Sequence, residues 1–166
     1  MLPLKINHIL VDIDDTITHL KDNPYQNVAG IGSDYFRGVL KDMLVKKFGF
    51  NPSFALATIQ EKDPIFNGCI FHTAPTLGIS EEELWEEVIT WQKNHLFVYA
   101  DAVDMVKILF SKGFCLYVVT NNSCKGALAK LSLADLADRN NSSYFKKIYG
   151  MDLFGLGWSK MRPEVY

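Results

Sequence analysis

The stretch that decides the fold is Ile9-Leu10-Val11-Asp12-Ile13-Asp14-Asp15-Thr16. Its apolar beginning is typical of a buried parallel strand. Side chains alternate between the two faces of a strand, so Asp12 and Asp14 start on one side and Ile13 on the other. Two carboxylates brought close at the end of a buried strand repel each other unless a proton or a cation lies between them. The pair indicates a functional site, and the structural alternative is a solvated Asp-Asp turn.

Length and composition limit the class of protein. The chain has 166 residues, which suits one domain or a small core with an insertion, and 48% of them are apolar. The formal charge of −2 excludes a global basic field for nucleic acid. No apolar stretch has membrane-spanning length, and the first residues lack a signal-peptide pattern. Three cysteines without regular spacing favour a reducing, cytoplasmic setting.

Strand and helix patterns alternate at the two ends of the chain, and a helical stretch lies between them. Strands are predicted over residues 5–13, 114–119 and 147–151, a loop over 16–32, and helices over 34–49, 51–60, 101–112 and 124–137. A further helix is predicted to begin at the capping box of Ser80 and Glu83. Strands that alternate with helices predict a parallel sheet with right-handed crossovers.

Polar side chains follow each predicted strand. The first strand ends at Asp12 and the second at Thr120, which Asn121 follows, and a loop carrying Lys160 comes after the third. Ligands of open parallel α/β sheets bind outside the carboxyl ends of the strands. We therefore expect carboxylates, a hydroxyl and an amine to project from one edge of the sheet.

These strand ends resemble, in order, three motifs of the haloacid-dehalogenase-like (HAD-like) hydrolases. Asp12-x-Asp14 after a strand is similar to motif I, and Thr120 at the end of an apolar strand is similar to motif II. Lys160, three residues before Pro163, is similar to motif III. The resemblance covers the whole chain loosely and these three motifs closely.

The resemblance implies a fold and a division of the chain. It implies a three-layer Rossmann-like α/β core with a parallel sheet, residues 1–18 and 100–166, and a helical cap, residues 19–99. The family's fourth motif, an acidic pair after a further strand, has no counterpart after Lys160, so the C-terminal part of the core is expected to be missing. The first strand would then be an apolar edge, so the chain is expected either to self-associate through it or to be a piece of a longer protein.

The roles of the motif residues follow from phosphoryl-transfer chemistry. Asp12 can attack phosphorus and form an aspartyl-phosphate, and Asp14 can act as general acid and then as general base. Thr120 and the amide of Asn121 can bind phosphate oxygens, and Lys160 offers a compact positive charge. Mg²⁺ is the expected cofactor because it prefers oxygen ligands. In the family, its ligands would be the Asp12 side chain and the backbone carbonyl of Asp14.

The function predicted first is a Mg²⁺-dependent phosphatase-like hydrolase that acts on a small phosphorylated metabolite. An acid at Asp14 favours phosphate esters, because a halide needs no proton to leave. The alternatives are a truncated or non-catalytic relative that binds phosphate or a partner without turnover, and a phosphomutase of the same fold. No nucleic-acid or membrane partner is expected.

Several other residues carry weaker signals. Within the expected cap, His19, Phe36, Arg37 and Lys41 are candidates for substrate contact. Cys69 and His72 have the spacing of metal ligands, but a pair falls short of a zinc site. Cys124 is expected to be a packed thiol and Asp152 a loop residue.

Overall fold

Within residues 7–32 and 34–153, the main sheet has three parallel strands. The computed structural model describes residues 7–32 and 34–153. The strands are β1 (His8–Val11), β4 (Cys115–Val119) and β5 (Phe145–Tyr149). Val11 lies opposite Val118, which lies opposite Ile148, so the carboxyl ends of the strands meet at one edge. The predicted α/β class with a parallel sheet is confirmed.

Two helices pack with this sheet, α5 (Ala100–Ser111) and α6 (Cys124–Leu133). The shared core is apolar and includes Val11, Ile13, Val106, Leu116, Val118, Ala127 and Leu131. Gly113 follows α5 with a φ of 83°, a left-handed conformation that glycine adopts without strain, and turns the chain into β4. Ser123 precedes α6 and its hydroxyl accepts from the Gly126 N–H at 3.1 Å. Loop and cap residues thus place the beginning of α6 beside the end of β4.

Four helices form a second core in residues 21–95, which we call the inserted segment. They are α1 (Tyr35–Phe48), α2 (Pro52–Lys62), α3 (Ile70–Thr73) and α4 (Glu81–His95). Short 3₁₀ turns follow α2 and α3, at Asp63–Phe66 and Ala74–Leu77. The predicted capping box is present, since the Ser80 hydroxyl accepts from the Glu83 N–H at 3.1 Å and Glu83 accepts from the Ser80 N–H at 2.8 Å.

A short antiparallel ribbon joins the inserted segment to the rest of the chain. It consists of β2 (Thr18–Leu20) and β3 (Leu96–Val98), with His19 opposite Phe97. The prediction of a loop over residues 16–32 was therefore wrong at β2. A three-residue strand that pairs with a segment almost eighty positions away has no local signal of its own.

Other predicted boundaries also need correction. The first strand is shorter than residues 5–13, and β5 begins two residues before the predicted 147–151 and ends at Tyr149. The helix predicted over 124–137 ends at Leu133, because Asp135 has a left-handed φ of 54° that does not continue a helix. Helix α3 was not predicted.

Strand β1 lies at the edge of the sheet, since among residues 7–32 and 34–153 it pairs with β4 alone. Leu10 on this strand is 52% exposed, and α5 adds exposed apolar side chains at Met105, Ile108 and Phe110. The edge is as apolar as the sequence predicted, while self-association through it stays a prediction. In the described part of the chain, no helix is long and apolar enough to cross a membrane.

Candidate active site

The end of β1 turns sharply and presents the first motif at the edge of the sheet. Asp12 is half-buried, and its Oδ1 accepts from the Ile13 N–H at 2.8 Å. Asp15 has a left-handed φ of 58°, which aspartate tolerates better than most residues, and its N–H donates to the Thr18 carbonyl at 2.7 Å. This turn leaves the Asp14 side chain half exposed beside the end of β4.

One amide side chain connects the ends of β1 and β4. The Nδ2 of Asn122 donates to Asp14 Oδ2 at 2.7 Å and to Thr120 Oγ1 at 2.8 Å. The backbone N–H of Asn122 donates to the same Thr120 oxygen at 3.1 Å. Thr120 is fully buried, and its N–H donates to the Tyr149 carbonyl of β5 at 3.1 Å. The structure therefore brings Asp14 and Thr120 together through a residue that the sequence analysis did not assign.

A buried lysine on α6 supplies positive charge to this group. The Nζ of Lys130 donates to Asp14 Oδ1, and only 6% of the Lys130 side chain is exposed. The ammonium also lies 5.4 Å from the ring centre of Tyr35 and 5.8 Å from that of Phe36, within cation–π range. Lys130 was missed in the sequence, where its one signal was a single cation within the apolar run of α6.

A cavity of about 500 Å³ opens at this edge of the sheet, between the sheet and the inserted segment. Core residues Asp14, Asn121, Asn122 and Lys130 line it, together with Asp34, Tyr35, Phe36 and Arg37 at the start of α1. Asp12 and Thr120 are not among the described residues that line it. Thr18 also lines the cavity, and within the described part its buried hydroxyl has no hydrogen-bond partner. A polar ligand or water in the cavity would satisfy that oxygen.

An ion-pair network holds the first turn of α1 in place. The Nε of Arg37 donates to Asp63 Oδ2 at 2.5 Å, and the Thr73 hydroxyl donates to Asp63 Oδ1 at 3.1 Å. Arg37 also lies 3.4 Å from Asp34 Oδ2. Burial raises the pKa of the Asp34 carboxyl, and the charge of Arg37 opposes that rise. Arg37 thus lines the cavity while Asp63 and Asp34 hold its guanidinium.

The predicted site residues divide into three groups. Asp14 and Asn121 line the cavity, and Asp12 and Thr120 lie at the ends of neighbouring strands beside it. Lys160 lies outside the described residues. For Mg²⁺, the expected donors are the Asp12 carboxylate and the backbone carbonyl of Asp14, both hard oxygen ligands of the kind that this ion prefers. The donor set fits the ion, although Lys130 and Asn122 already contact the Asp14 carboxylate.

No protein-family model matches the chain, and no curated protein is similar to it. Among solved structures, it is similar to an HAD phosphatase from Thermococcus onnurineus at 23% identity, with 86% of this chain and 61% of that chain covered and a TM-score of 0.45. A haloacid dehalogenase-like hydrolase from Bacteroides fragilis is 15% identical over 96% of this chain and 69% of its own, with a TM-score of 0.43.

The L-2-haloacid dehalogenase from Xanthobacter autotrophicus is 13% identical, with 98% of this chain and 62% of that chain covered and a TM-score of 0.43. These structures are of the HAD-like class. The strand-end motifs resemble the same class, but TM-scores and identities this low carry no argument about the activity or substrate of this chain. The chain spans about three-fifths of the length of the phosphatase.

Proposed function

We propose that the chain is a Mg²⁺-dependent, phosphatase-like hydrolase that acts on a small phosphorylated metabolite. The observation that carries this proposal is the Asn122 side chain, which links Asp14 to Thr120 across the ends of β1 and β4. That link lies on a cavity with room for a small molecule, and two cations, Lys130 and Arg37, face the same space. Asp14, Asp15 and Asp34 also line it, so an anionic substrate suits this lining only together with a bound cation such as Mg²⁺.

The proposed reaction has two steps. In the first, an Asp12 carboxylate oxygen forms a bond to phosphorus while the ester P–O bond breaks, and Asp14 gives a proton to the leaving oxygen. In the second, water attacks phosphorus and Asp14 takes its proton. The P–O bond to Asp12 then breaks, which releases phosphate and restores the carboxylate. No oxidant or second substrate is needed.

The neighbouring groups would bind the phosphoryl oxygens. Asn121 lines the cavity before α6, and the buried Thr120 hydroxyl would reach a phosphoryl oxygen once the Asn122 side chain releases it. Lys160 is proposed as a positive charge against the transferring group. When bound, Mg²⁺ would neutralise charge on the phosphoryl oxygens, with Asp12 and Asp14 as the residues that hold it. For Asp14 to exchange a proton with substrate, its contact with Lys130 must loosen or be shared.

The contact between Asp14 and Lys130 supports a second candidate function, binding of a phosphorylated ligand without turnover. Both carboxylate oxygens of Asp14 already have partners, Oδ1 in Lys130 and Oδ2 in Asn122. If Asp14 keeps both partners, it would hold Lys130 in place beside a bound phosphorylated ligand but would not transfer protons. The two candidates differ in turnover and agree in ligand class.

The test is phosphate release from a generic aryl phosphate by the full chain with Mg²⁺. Asp12→Asn is expected to lower kcat by about a thousandfold or more, because it removes the nucleophile. The matched control is Asp104→Asn, an equal charge change at an exposed position of α5, which is expected to stay within about twofold of the parent.

Turnover that Asp12→Asn leaves unchanged would refute the aspartyl-phosphate route. Saturable phosphate binding without turnover would favour the second candidate. A product in which phosphate moves within a sugar phosphate, without free phosphate, would point to the phosphomutase alternative.

A further inference from the structure

Three metal-ligand side chains from distant parts of the chain meet beside the cavity. The Sγ of Cys69, a ring nitrogen of His72 and a carboxylate oxygen of Asp152 all lie within 4.8 Å of one another. Cys69 immediately precedes α3, and His72 is the third residue of that helix. Asp152 lies in the 3₁₀ turn Met151–Leu153 after β5. The structure thus completes a set that the sequence showed only as a pair.

We propose that Cys69, His72 and Asp152 form a zinc site that clips the inserted segment to the sheet. Zinc takes thiolate, imidazole and carboxylate ligands at about 2.0–2.3 Å, so a tetrahedral site needs ligand atoms about 3.5 Å apart. The present spacing requires each pair to close by about 1.3 Å at most, which side-chain rotation supplies. His72 is exposed and free to make such a rotation without repacking the core.

Cys124 holds one of the three ligands in place without being one: its Sγ donates to the Ile148 carbonyl at 3.6 Å and lies outside the group, so we assign the fourth zinc position to water. The Cys124 backbone N–H donates to Asp152 Oδ1 at 2.8 Å, which fixes the carboxylate next to the first residue of α6.

The ligand set is distinct in chemistry from the proposed Mg²⁺ site. Sulfur and imidazole ligands select zinc and similar metals, whereas Mg²⁺ requires oxygen. All three cysteines of the chain are free thiols, so Cys69 is available as a ligand.

The position of the site gives it a consequence for the cavity. Gly68, Ser123 and Met151 line the cavity and are the chain neighbours of Cys69, Cys124 and Asp152 respectively. A contact between the same two parts exists already, since Asn67 Nδ2 donates to the Asp152 carbonyl at 3.3 Å. A bound zinc would therefore hold the inserted segment at a fixed distance from the sheet on one side of the cavity.

The experiment is a titration of the reduced full chain with Co²⁺, a spectroscopic substitute for Zn²⁺, followed by competition with Zn²⁺. We expect one Co²⁺ per chain, with the thiolate-to-metal charge-transfer band and the d–d absorption of a tetrahedral site, both abolished by Zn²⁺. Cys69→Ser is expected to weaken Co²⁺ binding and reduce the band, and His72→Gln to weaken Co²⁺ binding by at least about tenfold. Cys124→Ser is expected to leave the band unchanged, because its thiol is not one of the ligands.

The matched controls are Cys115→Ser in β4 and the exposed His8→Gln in β1, which carry the same substitutions outside the cluster. Both are expected to bind Co²⁺ as the parent does. The proposal is overturned if the parent shows no charge-transfer band, or if Cys69→Ser and His72→Gln bind as tightly as the controls. Because His72 is exposed, its variant tests the site even if Cys69→Ser fails to fold.

Discussion

Removal of the Asp14 carboxylate is expected to destabilise the fold, because it leaves Lys130 as a buried cation without its anion. The Lys130 side chain is 6% exposed and that of Asp14 is 50% exposed, so the pair lies between a surface and a buried ion pair. Exposed pairs contribute about 0.2–1 kcal/mol, and breaking a fully buried pair costs about 3–5 kcal/mol. We expect Asp14→Asn to lower the free energy of unfolding by about 2 kcal/mol.

Substitution of the other partner is expected to cost much less. Lys130→Met removes the buried charge and keeps an unbranched side chain against Tyr35 and Phe36, while Asp14 remains half exposed to water. We expect a loss of about 0–1 kcal/mol. In the double variant, Asp14→Asn should cost little more than Lys130→Met alone, because no cation is left unpaired.

The assay is urea unfolding followed by circular dichroism, with thermal unfolding as a second measurement. A loss of 2 kcal/mol corresponds to a fall in Tm of about 4–8 °C for a chain of this size. Asp15→Asn is the control, because this neighbouring carboxylate is 78% exposed, and we expect a change within about 0.5 kcal/mol. The reasoning is refuted if Lys130→Met destabilises as much as Asp14→Asn, or if the two losses add in the double variant.

Three further predictions concern other parts of the chain. Hydrogen bonds from Lys47 and from the Ser80 backbone N–H lower the pKa of Glu83 to about 2. The ionised Glu83 carboxylate should therefore stabilise the fold fully above the unfolded pKa of about 4.3, and this stabilisation should vanish as the pH falls to about 2. Unfolding of Glu83→Gln, compared with the parent across this pH range, tests the prediction. Asp63→Asn should lower stability by about 2–4 kcal/mol in urea unfolding, because it leaves the Arg37 guanidinium without its buried partner; unchanged stability would show that Asp34 replaces it. If the edge of β1 mediates self-association, as we propose, Leu10→Lys should lower the average mass in sedimentation, and a concentration-independent monomer in the parent would contradict the idea.

The elements that the sequence predicted well are those with strong local signals. The apolar run before Asp12 indicated β1, and the run from Phe114 to Val119 indicated β4. The capping box of Ser80 and Glu83 indicated the start of α4. Each of these signals lies within a few residues of the element that it defines, so no tertiary information was needed.

What the sequence did not reveal depends on contacts between distant positions. The pairing of β2 with β3 and the contact of Lys130 with Asp14 each join residues that lie 76 to 116 positions apart. The same holds for Asp152, which meets Cys69 and His72 where the 3₁₀ turn after β5 contacts the inserted segment. Periodicity and motif spacing describe neighbours along the chain and carry no information about such meetings. The assigned roles of Asp12, Asp14, Thr120, Asn121 and Lys160 stay predictions.

The β2–β3 ribbon makes the inserted segment a replaceable module. The chain leaves the core and returns to it at paired positions, and the pairing extends at both ends, from the Tyr99 N–H to the Ile17 carbonyl and from the Lys21 N–H to the His95 carbonyl. An inserted segment whose two ends lie side by side can be exchanged for another without altering the connections of the sheet. Evolution and protein engineering alike can therefore vary the wall of the cavity while the β1-β4-β5 framework stays the same.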